Sequence, residues 1–186
     1  QRLRQSLSII QQDPTLFGGS VRYNLAPVTE HTDTELWEAL GRSGLEQKVS
    51  SMGEGLDAPI SEGGGNLSAG ERQLLCMARA TLCRRPVLVM DEATASVDHK
   101  ADVRIQEMIK GDFCGNCTVL TIAHRLHTVA FYDKILLLGE GEVLEYDAPK
   151  VLLTSEGGAF RKLAEETGDY AGLLQLADED VVTPSH

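Results

Sequence analysis

The sequence has no excess of basic residues and no long apolar run, and each absence argues against a class of protein. Of its 186 residues, 17 are Lys or Arg and 28 are Asp or Glu, so its formal net charge is −11. A protein that binds nucleic acid by neutralising phosphates normally carries a basic excess, so that mode of binding is not expected. A membrane helix needs about 20 consecutive apolar residues, and apolar stretches such as 87–90 and 135–138 are far shorter.

The acidic residues are concentrated towards the C-terminus. Residues 137–186 hold 11 acidic and 3 basic side chains, so they contribute −8 of the net charge of −11. With 42% hydrophobic residues, the composition is that of one soluble globular domain. The sequence opens with Gln1 and carries no signal peptide, which predicts that it starts inside a longer protein.

The four cysteines do not indicate a disulfide or a metal site. Cys76 and Cys83 lie in one predicted helix, where seven residues rise about 10 Å, beyond the roughly 7 Å Cα separation that a disulfide tolerates. Cys114 and Cys117 form a C-x-x-C pair, but a zinc site of this kind uses a second pair and the sequence has none. Reduced cysteines in a cytosolic protein are therefore expected.

Strand-like and helix-like segments alternate along the chain. Strands are predicted at 7–10, 87–90 and 118–122, helices at 32–40, 68–85, 99–110 and 159–176, a hairpin at 135–138 with 143–146, and a loop at 53–65. Asp33 is the predicted N-cap of the helix at 32–40, and Asp98 that of the helix at 99–110. The uninterrupted apolar run 87–90 favours a parallel strand covered on both faces. The order predicts an α/β fold with a mostly parallel sheet flanked by helices.

The helix after Leu67 has the clearest start. Ser68 and Glu71 match a capping box, in which the serine hydroxyl accepts from the third helical N–H and the glutamate accepts from the cap N–H. Arg84 and Arg85 are predicted in its last turn, before Pro86 ends it. Such a helix start offers N–H groups and a partial positive charge to an anion.

Polar side chains follow three of the predicted strands. They are Gln12, Asp91, Glu92 and His124. Each has an ordinary explanation by itself, as a helix cap, a loop residue or a packed histidine. Ligands of open parallel sheets bind at the carboxyl ends of the strands, so together with the helix start these residues suit a nucleotide phosphate. Asp91 is suited to hold Mg²⁺ through water, and Glu92 to orient or deprotonate an attacking water.

Five short motifs, in this order, resemble those of ATP-binding cassette proteins. Gln12 resembles the Q-loop glutamine, 67–73 the signature motif, 87–92 the Walker B strand, 95–98 the D-loop and His124 the switch histidine. The resemblance implies a P-loop NTPase-like fold with a helical signature subdomain, and ATP and Mg²⁺ as ligands. It implies catalytic roles for Gln12, Glu92 and His124, and Mg²⁺ contacts for Asp91 and Gln12. Nucleotide contacts are implied for Ser68, Ala69, Gly70, Glu71 and Asp98.

Three stretches, 13–17, 57–64 and 72–79, are similar to the second nucleotide-binding domain of the multidrug-resistance-associated (C) subfamily. The general family signature is Leu-Ser-Gly-Gly-Gln, and this chain departs from it at Ala69 and Glu71. By the family's head-to-tail pairing, Glu71 brings a negative charge near the γ-phosphate of ATP held by the partner domain. The resemblance therefore predicts a weakened contact there.

A phosphate-binding loop of the form G-x-x-x-x-G-K-[S/T] is absent from the sequence, as is the aromatic residue that the family stacks on adenine. In the family both precede the Q-loop. We therefore expect a C-terminal fragment of a nucleotide-binding domain that by itself binds ATP weakly or not at all and hydrolyses none. Uncovered apolar surface and an unpaired strand are expected with it.

The resemblance also implies partners and a place in the cell. It divides the chain into a Q-loop region (1–25), a helical subdomain (26–85), a region from Walker B to the hairpin (86–147) and C-terminal helices (148–186). The implied parent is an exporter of organic anions, conjugates or drugs. Its membrane domains, expected to contact 17–40, bind the transported molecule, and a second nucleotide-binding domain pairs on the cytoplasmic side. The alternatives are an ATPase acting on DNA or ribosomes and a regulatory nucleotide-binding domain.

Overall fold

The computed structural model describes residues 6–92, 97–111, 117–123 and 125–179. The strands are β1 (Leu7–Ile10), β2 (Gly19–Ser20), β3 (Pro59–Ile60), β4 (Val87–Asp91), β5 (Thr118–Ile122), β6 (Ile135–Gly139) and β7 (Glu142–Asp147). The helices are α1 (Val21–Leu25), α2 (Asp33–Ser43), α3 (Glu46–Ser51), α4 (Ala69–Cys83), α5 (His99–Lys110), α6 (Leu126–Val129), α7 (Pro149–Thr154), α8 (Ala159–Glu166) and α9 (Tyr170–Glu179). No helix among these residues has the length and apolar character to span a membrane. The chain forms two compact units, Gln1–Ile122 and Ala123–His186.

A parallel sheet lies at the centre of the first unit. Its order is β1-β4-β5, with Leu88 of β4 opposite Ser8 and Val119. The three predicted strands and their parallel direction are confirmed. Because all three run the same way, their carboxyl ends meet at one edge of the sheet.

Among the described residues, the two faces of this sheet differ in burial. Ile10, Leu88 and Met90 are buried on the face that belongs to the core. Ile9 and Leu120, on the other face, are 62% and 56% exposed. On β4 itself, Val87 and Val89 are half-buried on that face, so the prediction that the strand is covered on both faces holds for the core face and only in part for the other.

Helices α2 and α4 pack against each other and supply most of the helical core. Leu36 and Leu40 of α2 and Leu75 and Met77 of α4 are almost fully buried. Helix α4 ends at Cys83, two residues earlier than predicted. Arg84 and Arg85 are therefore outside the last turn.

The start of α2 and the end of α4 differ from the prediction in the residues that form them. Thr32, and not Asp33, caps α2, since its side chain accepts from the Glu35 N–H while the Glu35 carboxylate accepts from the Thr32 N–H. Arg84 follows α4 in the left-handed conformation, with φ of 43°. The chain thus leaves the helical path two residues before Pro86. The proline ring disfavours the helical conformation at Arg85, the residue that precedes it.

The glycine-rich stretch 53–65 is more ordered than the predicted loop. It contains short 3₁₀ turns and strand β3, which pairs antiparallel with β2. Leu56, Ala58 and Ile60 are buried in the core. These apolar side chains fix the segment in spite of its glycines.

The second unit consists of the β6–β7 hairpin and the helices α6–α9. The hairpin is confirmed, with a two-residue turn in which Glu140 and Gly141 both have positive φ. The helical stretch predicted at 159–176 is two helices, because Gly168, with φ of 78°, breaks it. Leu153, Phe160 and Leu173 form the centre of this unit's core.

Candidate functional site

The start of α4 forms the predicted capping box. The Ser68 N–H donates to Glu71 Oε2 at 2.8 Å, and the Glu71 N–H donates to Ser68 Oγ at 3.1 Å. The N–H groups of Ala69 and Gly70 meet no acceptor among the described residues, as is usual for a first helical turn. The helix thus presents two backbone donors at one end, with the Ser68 hydroxyl beside them.

Gly70 lies where α4 approaches the start of α5. A Cβ on Gly70 would lie 2.6 Å from the Ala101 Cβ and 2.9 Å from Asp98 Oδ2. Asp98 is the cap of α5, as predicted, and its Oδ1 accepts from the Ala101 N–H at 3.0 Å. The glycine is therefore required by packing, whatever ligand the helix start binds.

A cavity of about 500 Å³ opens beside this helix start, and Ser68, Glu71 and Asp98 are among the residues that line it. Its charged side chains balance in number, since Lys48, Lys100 and Arg104 accompany Glu71, Asp98 and Glu107. Three of the predicted nucleotide contacts, at the starts of α4 and α5, therefore line one cavity of the first unit.

Glu71 is held in its ionised form. Lys48 Nζ lies 3.0 Å from Glu71 Oε1. Partial burial of the Glu71 carboxyl opposes ionisation, but the hydrogen bond from Ser68 and the Lys48 ammonium outweigh it and lower the pKa of Glu71 below its ordinary 4.5. The charge that the sequence predicts at this position is present, and a cation accompanies it.

Gln12, Asp91 and Glu92 form a second group, at the carboxyl edge of the sheet. Asp91 is the exposed last residue of β4, and Gln12 is exposed just beyond its neighbour β1. Glu92 is half-buried and donates its N–H to the Ile122 carbonyl of β5 at 3.0 Å. None of these three side chains lines the cavity beside α4.

The backbone at Glu92 is unusual. Its φ is 47°, in the left-handed region that non-glycine residues rarely adopt. Strained residues of this kind are concentrated at functional sites, where the surrounding structure holds them. Nothing in the local sequence signalled this conformation.

Two residues of α4 without a predicted role connect the helix to the chain after β1. Gln73 is 1% exposed, and its Nε2 donates to the Gln11 carbonyl at 3.4 Å. The Arg79 guanidinium donates to the Asn24 carbonyl at 2.7 Å and to the Thr15 carbonyl at 3.2 Å. The signal available in the sequence was a glutamine next to the apolar positions of the predicted helix.

Some predicted site residues lie outside the described part of the chain. These are His124 and the D-loop residues Ala95 and Ser96. Among the residues that the structure describes, no cluster of three or more His, Cys, Asp or Glu side chains is arranged to hold a metal. The assignments of individual site residues therefore remain predictions.

The comparisons with known proteins agree with the motif order and the fold. A family model described as ABC transporter matches residues 1–95, just over half of the chain. The chain belongs to the ABC transporter family. The resemblance stated from the motifs is thereby confirmed.

The relatives of this ABC chain belong to the C subfamily. "Probable multidrug resistance-associated protein lethal(2)03659" of Drosophila melanogaster is 48% identical over 180 residues, covering 95% of this chain and 13% of that protein. "ATP-binding cassette sub-family C member 4" of Homo sapiens is 46% identical over 179 residues, again 95% of this chain and 13% of that protein. The chain thus spans about an eighth of the length of these relatives.

A solved structure supports the fold class. The "bacterial Atm1-family ABC exporter with ATP bound" superposes with a TM-score of 0.79 at 29% identity, over 89% of this chain and 29% of that one. The predicted α/β ABC fold is confirmed. The family model is described as ABC transporter and the solved structure as an ABC exporter, which does not favour an ATPase acting on DNA or ribosomes.

Proposed function

We propose that this chain is part of the ATP-hydrolysing engine of a membrane exporter of organic anions, conjugates or drugs. The observation that carries the proposal is the start of α4, where the N–H groups of Ala69 and Gly70 have no acceptor among the described residues. This helix start occurs in a chain 46–48% identical to C-subfamily transporters.

The start of α4 suits the triphosphate of an ATP held by a second nucleotide-binding domain. Two backbone N–H groups and the Ser68 hydroxyl donate to phosphate oxygens, and the helix end adds a partial positive charge. Backbone donors do not titrate, so they bind the anion over the whole physiological pH range. Asp98 and Glu71 border the same contact, in a head-to-tail pair in which each domain completes the site of the other.

The carboxyl edge of the sheet suits the ATP bound on this domain. Glu92 accepts the proton of the attacking water as the water oxygen bonds to the γ-phosphorus and the bond to ADP breaks. Gln12 and His124 orient that water and the phosphate. The exposed Asp91 carboxylate and the Gln12 amide oxygen are the hard donors that Mg²⁺ prefers, and Mg²⁺ supplies charge neutralisation when it is bound.

The membrane domains of the same exporter are proposed to contact the region 17–40. Phe17, Tyr23 and Val28 in this region are 40%, 46% and 91% exposed, and the Phe17 and Tyr23 rings meet edge to face. Exposed aromatic side chains of this kind are common anchors in protein interfaces. The domain would then lie on the cytoplasmic side of the membrane that holds the exporter, and the membrane domains would bind the transported molecule.

The test is Glu92→Gln in the full-length protein that contains this chain, purified with its membrane domains. The variant keeps the size of the side chain and removes its capacity to accept a proton. We expect kcat for ATP hydrolysis to fall at least about 100-fold, with ATP binding retained. Turnover is measured by phosphate release, and binding by retention of labelled ATP.

The matched control is Glu166→Gln, which makes the same change at an exposed residue of α8, outside the proposed sites. It should leave turnover unchanged. If the Glu92→Gln variant hydrolyses ATP as fast as the unchanged protein, the proposal is contradicted. A protein that binds ATP without turnover supports a regulatory domain instead.

A further inference from the structure

Glu71 places a full negative charge beside the donors that are proposed to bind phosphate. It is the third residue of α4, and its Oε2 already accepts the Ser68 N–H. A carboxylate in this position stabilises the helix start by itself, but it repels an approaching triphosphate. If the helix start binds phosphate, this charge has to be compensated.

Lys48 is placed to compensate it. Its Nζ lies 3.0 Å from Glu71 Oε1, the oxygen that Ser68 leaves unused. The two side chains come from different helices, α3 and α4, and Val49, the next residue of α3, is 4% exposed and fixes that helix in the core. The Lys48 side chain is 39% exposed and the Glu71 side chain 25%, so the pair is only partly screened by water.

Lys48 determines whether the charged side chains around the cavity beside α4 balance. The cavity beside α4 is lined by three cationic and three anionic side chains. Arg104, one of the cations, already donates to Glu107 at 2.9 Å and to the Arg42 carbonyl at 2.8 Å. Without Lys48 the lining would carry a net negative charge next to the donors of α4.

We propose that Lys48 is a positioning residue for nucleotide binding, which neutralises Glu71 and holds its carboxylate on the Ser68 N–H so that a phosphate can reach the start of α4. This inference rests on the proposed function. Its effect on the folding of the chain is small, since partly exposed ion pairs contribute little to stability.

The experiment uses the same full-length protein with Lys48→Met, Glu71→Gln and the two changes combined. Glutamine keeps the capping box at position 71 and removes only the charge. Lys48→Met should raise KM for ATP about three- to tenfold with kcat changed less than about twofold, because a single uncompensated charge weakens binding of the phosphate. The same change in the Glu71→Gln background should not raise KM.

Two controls separate this role from a structural one. Lys48→Arg should keep KM close to that of the unchanged protein, and Lys110→Met, at the far end of α5, should have no effect on KM. An unchanged KM in Lys48→Met, or an equal rise with and without Glu71, overturns the inference while Glu92-dependent turnover stands. If Glu92→Gln leaves ATP hydrolysis unchanged, the proposed function is overturned and the inference with it.

Discussion

Substituting Gly70 by alanine tests whether the start of α4 is built by close packing on α5. In the present structure the new Cβ would lie 2.6 Å from the Ala101 Cβ and 2.9 Å from Asp98 Oδ2. Carbon atoms in contact normally lie about 3.5–4.0 Å apart, so one of the helices has to move. Since both neighbours belong to the first turn of α5, neither can be relieved by rotating a long side chain.

The magnitude follows from two opposing effects. Overpacking of this kind costs about 1–3 kcal/mol. Alanine gains up to about 1 kcal/mol over glycine within a helix. The expected net loss is about 1–2 kcal/mol in the free energy of unfolding of this chain, measured by urea denaturation followed by circular dichroism.

Gly41→Ala is the matched control. Gly41 also lies within a helix, and the nearest atom to its added Cβ is the flexible Glu46 Oε2 at 3.5 Å. This variant should be stabilised by about 0.5–1 kcal/mol. Adding Ala101→Gly to Gly70→Ala should recover part of the loss, because it removes the closer of the two contacts. A Gly70→Ala variant as stable as the unchanged chain, with Gly41→Ala stabilised as expected, would refute close packing at this position.

Two further predictions concern ionisable groups. The hydrogen bond from His127 to Asp169, 2.8 Å long, lowers the pKa of Asp169 below its ordinary 3.8, so the stabilisation is complete above that pH and is lost as the pH falls through the lower folded value. Asp169→Asn should therefore weaken the dependence of the melting temperature on pH at the acid end, and an unaltered pH profile would contradict this. Burial raises the pKa of the Cys76 thiol, whereas Cys83 is exposed. Iodoacetamide followed by peptide mass spectrometry should label Cys83 at least about tenfold faster in the folded chain, and equal rates would show that Cys76 is accessible.

Local sequence patterns predicted the elements that depend on neighbouring residues. The capping box of Ser68 and Glu71 and the cap at Asp98 are encoded within four residues and are found in the structure. At α2 the pattern was misassigned by one residue, because Thr32 and Asp33 are both good caps and only the position of Glu35 decides between them.

Contacts between distant residues were outside the reach of these patterns. Lys48 and Glu71 pair across two helices, and Gln73 reaches a carbonyl 62 residues earlier in the chain. The partial cover on one face of β4 was outside their reach for the same reason, since an apolar strand sequence does not say how completely each of its faces is covered. The motifs predict which residues carry the chemistry, and the packing explains why Gly70 is required beside them.

With the catalytic role proposed for Glu92, its backbone implies a compromise between stability and activity at the end of β4. Its left-handed φ of 47° costs an ordinary residue about 1–2 kcal/mol and costs glycine almost nothing. A sequence optimised for stability alone would therefore carry glycine or asparagine at this position. The chain instead has a carboxylate there, and gives up part of a folding free energy that is only about 5–15 kcal/mol in a typical domain.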